Sequence, residues 1–371
     1  MIEKLHNTLY DGKRVDLEKS VPLAGPLLVH IETTNRCNFK CVFCPESDEN
    51  YQELSGGYKS MPFNDFKRII DSLAALDQHP RILNFFVMGE PLMNKNISEY
   101  ILYARGALPK SILSLSTNGA LLTEKKFESL CRSGLDFLRV SIFGSSDEAH
   151  KKNTQTNVNL NDIKNNINNF VNYRNNIGVN RPVVYIKSIL SPRESENQDF
   201  KNFFAEIGDK RVFEGLNNWN DDSDKYTRAL DVTADKLNDS EHFQNKKYVC
   251  AYPFYSMIVH SDLKVSVCCI DWDKKTVVGD LKNQSVSEVW HGQAVHLFRM
   301  QHLNRKRHEI KACKNCTYHH TLEDNLDSLS PERYLEKWSE AHKQHPSGLR
   351  LTADKNQQVI NFLPQIFTRR V

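Results

Sequence analysis

Three cysteines separated by three and then two residues, Cys37, Cys41 and Cys44, come just after the apolar run 27–31. Three thiolates fill three corners of a four-iron cubane and leave one iron without a protein ligand, whereas a cluster built for electron transfer alone normally takes four cysteines. An iron with an open position can bind a ligand and do chemistry on it. A zinc site is the competing reading, but structural zinc takes four ligands and this loop offers no fourth cysteine. The nearest histidine, His30, lies back inside the predicted strand.

A second set lies far along the chain. Cys250, Cys268, Cys313 and Cys316, with Cys269 beside the second, combine a cysteine before a predicted hairpin, one within it and a distant CxxC pair. Four thiolates suit a closed metal site, either zinc or a fully ligated iron-sulfur cluster, and spacing alone does not choose between them. Cys269 reads as a small buried hydrophobe on the opposite face of its strand, with a hydrogen-atom-donating thiol or an alternative ligand as its functional readings. Cys131, on a helix before Gly134, reads as core, and the adjacent His319 and His320 read as an exposed turn.

Strand and helix signals alternate around the first set. Strand runs fall at 27–31, 82–88, 111–116, 137–143, 183–190 and 211–216, and helical spacing at 63–76, 97–104, 123–132, 161–176 and 200–207. The Asn-rich stretch 161–176 keeps Ile163, Ile167, Phe170 and Val171 at helical spacing, with Gly178 as its stop. Such alternation makes a parallel α/β structure with its chemistry at the carboxyl ends of the strands. Six units are too few for a closed eight-fold barrel, so a partial (βα)6 parallel barrel is expected over 27–216, after a lead at 1–26. The polar, aperiodic stretch 217–244 reads as a linker. Behind it, 245–320 reads as a small domain with a hairpin (254–260 and 265–269), a short strand at 277–278 and a helix at 286–299. Residues 321–371 read as a tail with one helix at 332–342.

The 371 residues include 49 basic and 46 acidic side chains, a formal net charge of +3, which gives no bulk electrostatic case for nucleic acid. No apolar run approaches the roughly 18 residues of a membrane span, and the first residues lack a signal-peptide core, so a cytoplasmic protein without membrane contact is expected. Nine cysteines, an odd number without an export signal, fit metal ligation better than disulfides.

Together these motifs resemble the radical S-adenosylmethionine (SAM) superfamily. Phe43 matches the aromatic residue that the family places before its third cysteine. Met88-Gly89-Glu90-Pro91 resembles the family's GGEP motif, with Met in place of the first Gly, and Ser116-Thr117-Asn118-Gly119 and Ser141 lie where members contact the SAM ribose or carboxylate. The resemblance implies that Cys37, Cys41 and Cys44 ligate a [4Fe-4S] cluster whose open iron chelates SAM. It implies Phe43, Met88, Gly89, Glu90, Ser116, Asn118 and Ser141 as cofactor-binding residues. In the family an electron from the cluster splits SAM, and the resulting 5′-deoxyadenosyl radical takes a hydrogen atom from the substrate. The segments YVCAYPF, VSVCCIDWD, VVGDL, SEVW and CKNC resemble the C-terminal extension called SPASM or its shortened Twitch form, which carries auxiliary [4Fe-4S] clusters. Four to five cysteines, against the seven of a full SPASM domain, imply one auxiliary cluster. Gaps of 17, 44 and 2 residues resemble the Twitch form and imply Cys250, Cys268, Cys313 and Cys316 as its ligands.

The implied activity is hydrogen-atom abstraction from a small polar substrate, a sugar, cyclitol or nucleoside-like alcohol, leading to oxidation or epimerisation. An external one-electron reductant such as flavodoxin or ferredoxin is expected. The competing expectation is a peptide- or protein-modifying maturase that makes a thioether crosslink, a formylglycine or an epimerised residue. Only 36 residues precede Cys37, too few for the peptide-recognition domain that many such maturases carry.

Overall fold

The computed structural model describes residues 15–215 and 247–343. The expected linker 217–244, with Trp219 in it, and the terminal Arg369-Arg370 lie outside the described residues. Six parallel strands follow one another in space as they do in sequence: β1 (Leu28–Ile31), β2 (Ile82–Asn84), β3 (Ile112–Thr117), β4 (Phe137–Ser141), β5 (Val183–Ile189) and β6 (Lys210–Glu214). Helices Phe63–Ala74, Ile97–Ala107, Glu124–Arg132, Leu160–Asn176 and Glu194–Phe203 lie between them in the chain. The partial (βα)6 parallel barrel is therefore present.

The sheet does not close from β6 onto β1. Instead β7 (Ser256–Val259) pairs parallel with β1, setting Val29 opposite Met257 and Ile31 opposite Val259. Strands β8 (Lys264–Ser266) and β9 (Val277–Asp280) then continue antiparallel, giving one nine-stranded sheet in the order β6-β5-β4-β3-β2-β1-β7-β8-β9. The C-terminal extension is thus joined to the first barrel strand by backbone hydrogen bonds, which sequence patterning did not announce.

Local reasons for the elements are plain. Helix Phe63–Ala74 starts behind Pro62 and buries Phe66, Ile69, Ile70 and Leu73 on one stripe. In Leu160–Asn176 the buried residues include Ile163, Ile167 and Phe170, and Gly178, at φ +74°, supplies the stop. The helix expected at 200–207 begins earlier, at Glu194, where Glu194 and Glu196 suit the positive end of the helix dipole. The helix expected at 286–299 is two, Val286–Trp290 and Gln293–Leu303, parted at Gly292. Ser285 and Glu288 cap the first of these reciprocally. Trp290 anchors the N-terminal lead by donating Nε1–H to Leu23 O at 2.9 Å, with the Arg299 guanidinium 4.2 Å from its ring. Among the described residues no helix is long and apolar enough to cross a membrane.

Candidate active site and second cysteine set

The chain leaves β1 through a buried polar turn, Glu32, Thr33, Thr34 and Asn35, before the first cysteine. Asn35 clamps this turn: its Nδ2 donates to Gly57 O at 2.9 Å, and its Oδ1 accepts from Lys59 N at 2.6 Å. Phe39 is buried, and its N–H points at Cys37 Sγ, 3.5 Å away. Lys40 N donates to Thr154 O (3.1 Å) and Val42 N to Asn153 O (2.9 Å), so the helix Asp147–Thr154 holds the outer side of the loop. Its sequence signal, Ser146 as cap followed by Asp147 and Glu148, is short and lacks an apolar stripe.

Burial pushes the Cys44 thiol up to about 12 and raises Cys37 and Cys41 as well. Desolvated thiols of this kind are compensated when a positively charged metal group takes them as thiolates. Close to the loop, Glu46 Oε1 and Tyr51 OH are buried and have no hydrogen-bond partner. The donor set fits a three-thiolate [4Fe-4S] cluster.

The other motif residues gather at the neighbouring strand ends. Gly89 has φ +76°, and a Cβ there would lie 2.6 Å from Thr34 O and 2.8 Å from Arg36 O, so only glycine lets this turn approach the cysteine loop. Glu90 N donates to Arg36 O at 2.7 Å. The buried Glu90 carboxylate accepts from Leu92 N (2.9 Å) and Thr117 Oγ1 (2.7 Å) at one oxygen and from Asn118 N (2.7 Å) at the other. Burial raises its pKa, and these three donors oppose the rise. Asn118 Nδ2 in turn donates to Asn38 Oδ1 at 2.8 Å. One hydrogen-bond chain therefore ties the ends of β1, β2 and β3 together. Met88 N donates to Glu32 Oε2 at 3.2 Å. Phe43 packs on Phe143 with ring centroids 4.5 Å apart, and the Ser116 and Ser141 hydroxyls face each other at 3.5 Å as a separate pair across β3 and β4.

Cys250, Cys268, Cys313 and Cys316 line one cavity, walled also by Pro253, Ile270 and Phe298. Burial raises all four thiols. His302, unassigned by sequence, sits among them. Its Nδ1 accepts from Cys250 N at 3.4 Å, its Nε2 is 3.9 Å from Cys313 Sγ, and burial holds its pKa down at about 3. Arg307, another residue no motif marked, donates to the carbonyls of Cys313 and Cys316. Four thiols in an apolar wall with a cation at the rim fit a fully ligated cluster. His319 lines the same cavity and is 2% exposed, unlike the exposed turn expected for it.

Cys269 does not line that cavity. Its thiol is buried, which raises its pKa, and it is hydrogen-bonded to the Tyr252 and Tyr318 side chains, so its surroundings are polar where a hydrophobe was expected. Tyr252 OH lies 3.0 Å from Nε2 of His30, whose Nδ1 lies 3.2 Å from Phe86 O. Cys131 is half-buried against the main core.

Known proteins place this geometry. Residues 31–195 match the model of the radical SAM superfamily, and residues 250–317 match that of the SPASM iron-sulfur cluster-binding domain. The chain is 21% identical over 309 residues to the S-adenosyl-L-methionine-dependent 2-deoxy-scyllo-inosamine dehydrogenase of Niallia circulans, covering 83% of this chain and 96% of that one. It shares its fold with the crystal structure of BtrN in complex with AdoMet and 2-DOIA (TM-score 0.51, 20% identity, 78% of this chain and 92% of the other). It also shares it with Streptococcus suis SuiB bound to precursor peptide SuiA (TM-score 0.54, 14% identity, 76% and 69%). With both domain models matched in order and the motif loops joined as described, the chain carries a radical SAM domain followed by a C-terminal SPASM domain.

Proposed function

We propose that this radical SAM enzyme oxidises an alcohol carbon of a small polar substrate such as a sugar, cyclitol or nucleoside-like molecule. The observation that carries the reading is the single enclosed set of four thiols, Cys250, Cys268, Cys313 and Cys316. Such a set leaves no iron open to bind substrate, which suits an electron acceptor. The match along nearly the whole length of a cyclitol-derivative dehydrogenase supports the same direction. When bound, SAM and its cluster supply the radical that removes a carbon-bound hydrogen atom, and the auxiliary cluster supplies a sink for the second electron.

The chain's own residues do the positioning. Cys37, Cys41 and Cys44 present three thiolates from a loop clamped by Asn35 and by the helix Asp147–Thr154. Glu90 fixes the SAM-side loops of β2 and β3 against that loop, leaving Met88, Gly89, Phe43, Asn118, Ser116 and Ser141 as the proposed cofactor surroundings. An external one-electron reductant completes the cycle.

The test is incubation with carbon-deuterated candidate alcohols, reading deuterium in 5′-deoxyadenosine and a ketone product. Deuterium transfer only from peptides would sink this reading and leave the maturase. Epimerisation is the second reading, favoured by the Cys269 thiol held between Tyr252 and Tyr318. It predicts an inverted product carrying solvent deuterium and no ketone.

A further inference from the structure

The inner face of the barrel carries a group of polar and charged side chains among its apolar ones. His30, Asn84 and Ser114 stand in register across β1, β2 and β3. On β4 and β5, Leu138, Val140, Val184 and Ile186 are fully buried on the helix side, so strand alternation places Arg139 and Lys187 on the inner side. Glu214, the last residue of β6, reaches both: one carboxylate oxygen takes Arg139 Nη2 at 2.5 Å and the other takes Lys187 Nζ at 2.8 Å. The Arg139, Lys187 and Glu214 side chains are 14%, 19% and 26% exposed, so the group is largely but not fully shielded from water.

Among the described residues, two cations against one carboxylate leave this ion-paired group with an excess of one positive charge. His30 does not add to it, since burial keeps its imidazole neutral, with Nδ1–H directed at Phe86 O. Among the described residues Arg139 uses only Nη2 in an ion pair, which leaves Nε and Nη1 as donors, while its guanidinium lies 5.4 Å from the Phe86 ring. Asn84 Oδ1 and Ser114 Oγ on the same face are buried and have no hydrogen-bond partner, a polar demand that calls for an explanation. A planar guanidinium fork beside an ammonium matches the oxygens of a carboxylate or a phosphate.

We propose that Arg139 and Lys187 form an oxyanion subsite that anchors the substrate through a carboxylate or phosphate group, with Glu214 orienting the two cations. The proposal rests on the reading of the chain as an enzyme of small polar alcohols and narrows the substrate to an alcohol that also carries an acid group.

The test uses the full-length protein with both clusters reconstituted and SAM bound, titrated calorimetrically with acetate and with inorganic phosphate, and with glycerol as the neutral control. At least one oxyanion binds saturably and glycerol does not. Arg139→Gln and Lys187→Gln each weaken that binding about tenfold or more, the loss expected for a charge-assisted hydrogen bond. Glu214→Gln strengthens it, because both cations are freed; a gain of affinity does not arise from a misfolded chain. Tighter phosphate assigns a phosphorylated substrate, and tighter acetate a carboxylated one. Failure of both oxyanions to bind, affinity indifferent to the three substitutions, or displacement of SAM by the oxyanion overturns the proposal. Binding is read without turnover, so failure here is distinct from failure of deuterium transfer.

Discussion

Trp272 of the extension stacks on Tyr51, just beyond the cysteine loop, with ring centroids 5.7 Å apart and planes at 24°. Both close on Met88, and Cys44 packs against the cluster they form. Trp272 lies four positions after Cys268, so one short stretch runs from the second cysteine set to the first. Glu32 reinforces the same junction, accepting from Ser261 N at 3.0 Å and Ser261 Oγ at 2.7 Å.

Truncating this bridge removes a buried aromatic shared by both halves. Trp272→Ala is expected to cost roughly 3 kcal/mol in denaturant unfolding. A loss below about 1 kcal/mol would show that the junction is held by strand pairing alone.

The close approach of the Gly89 turn to Thr34 and Arg36 leaves no room for a methyl group. Gly89→Ala therefore pushes the turn off the cysteine loop, adding strain of about 1–2 kcal/mol at a left-handed residue. Reductive formation of 5′-deoxyadenosine should fall to background, while iron at the second cysteine set is retained. Unimpaired SAM cleavage would mean that the turn tolerates separation.

His30 links stability to pH. Burial lowers its pKa from 6.5 to about 4, with Arg139 adding to the fall and the hydrogen bond to Phe86 O opposing it. The folded state then binds fewer protons than the unfolded state, so this contribution is complete above pH 6.5 and is lost as pH falls toward 4. The unfolding free energy of the native chain relative to His30→Asn should drop by about 1.2 kcal/mol between neutral pH and about pH 5.5. A pH-independent difference would show that the imidazole is solvated.

Iron content separates the cysteines. The reconstituted protein should hold about eight irons. Replacing Cys37, Cys41 and Cys44 together by Ala should leave about four irons and abolish SAM cleavage. Cys268→Ala should also leave about four, and Cys269→Ala about eight. Loss of iron from the Cys269 variant would make that residue the ligand.

Burial and covalent spacing wrote much of this protein into its sequence. The alternation of strand runs with helical stripes fixed a parallel α/β barrel of six units, because each element must bury one face locally, as Ile163, Ile167 and Phe170 do in the Asn-rich helix. The triplet Cys37, Cys41 and Cys44 stands out in the sequence as a candidate ligand set, since its spacing is set along the chain. Pairing between distant elements has no such local signature. The seat of β7 against β1, the reach of Glu90 to Thr117 and Asn118, the entry of His302 into the second cysteine cavity and the meeting of Arg139, Lys187 and Glu214 were decided only by the tertiary structure. Each depends on backbone register and on hydrogen bonds or ion pairs between residues far apart in the chain, which residue type alone does not specify.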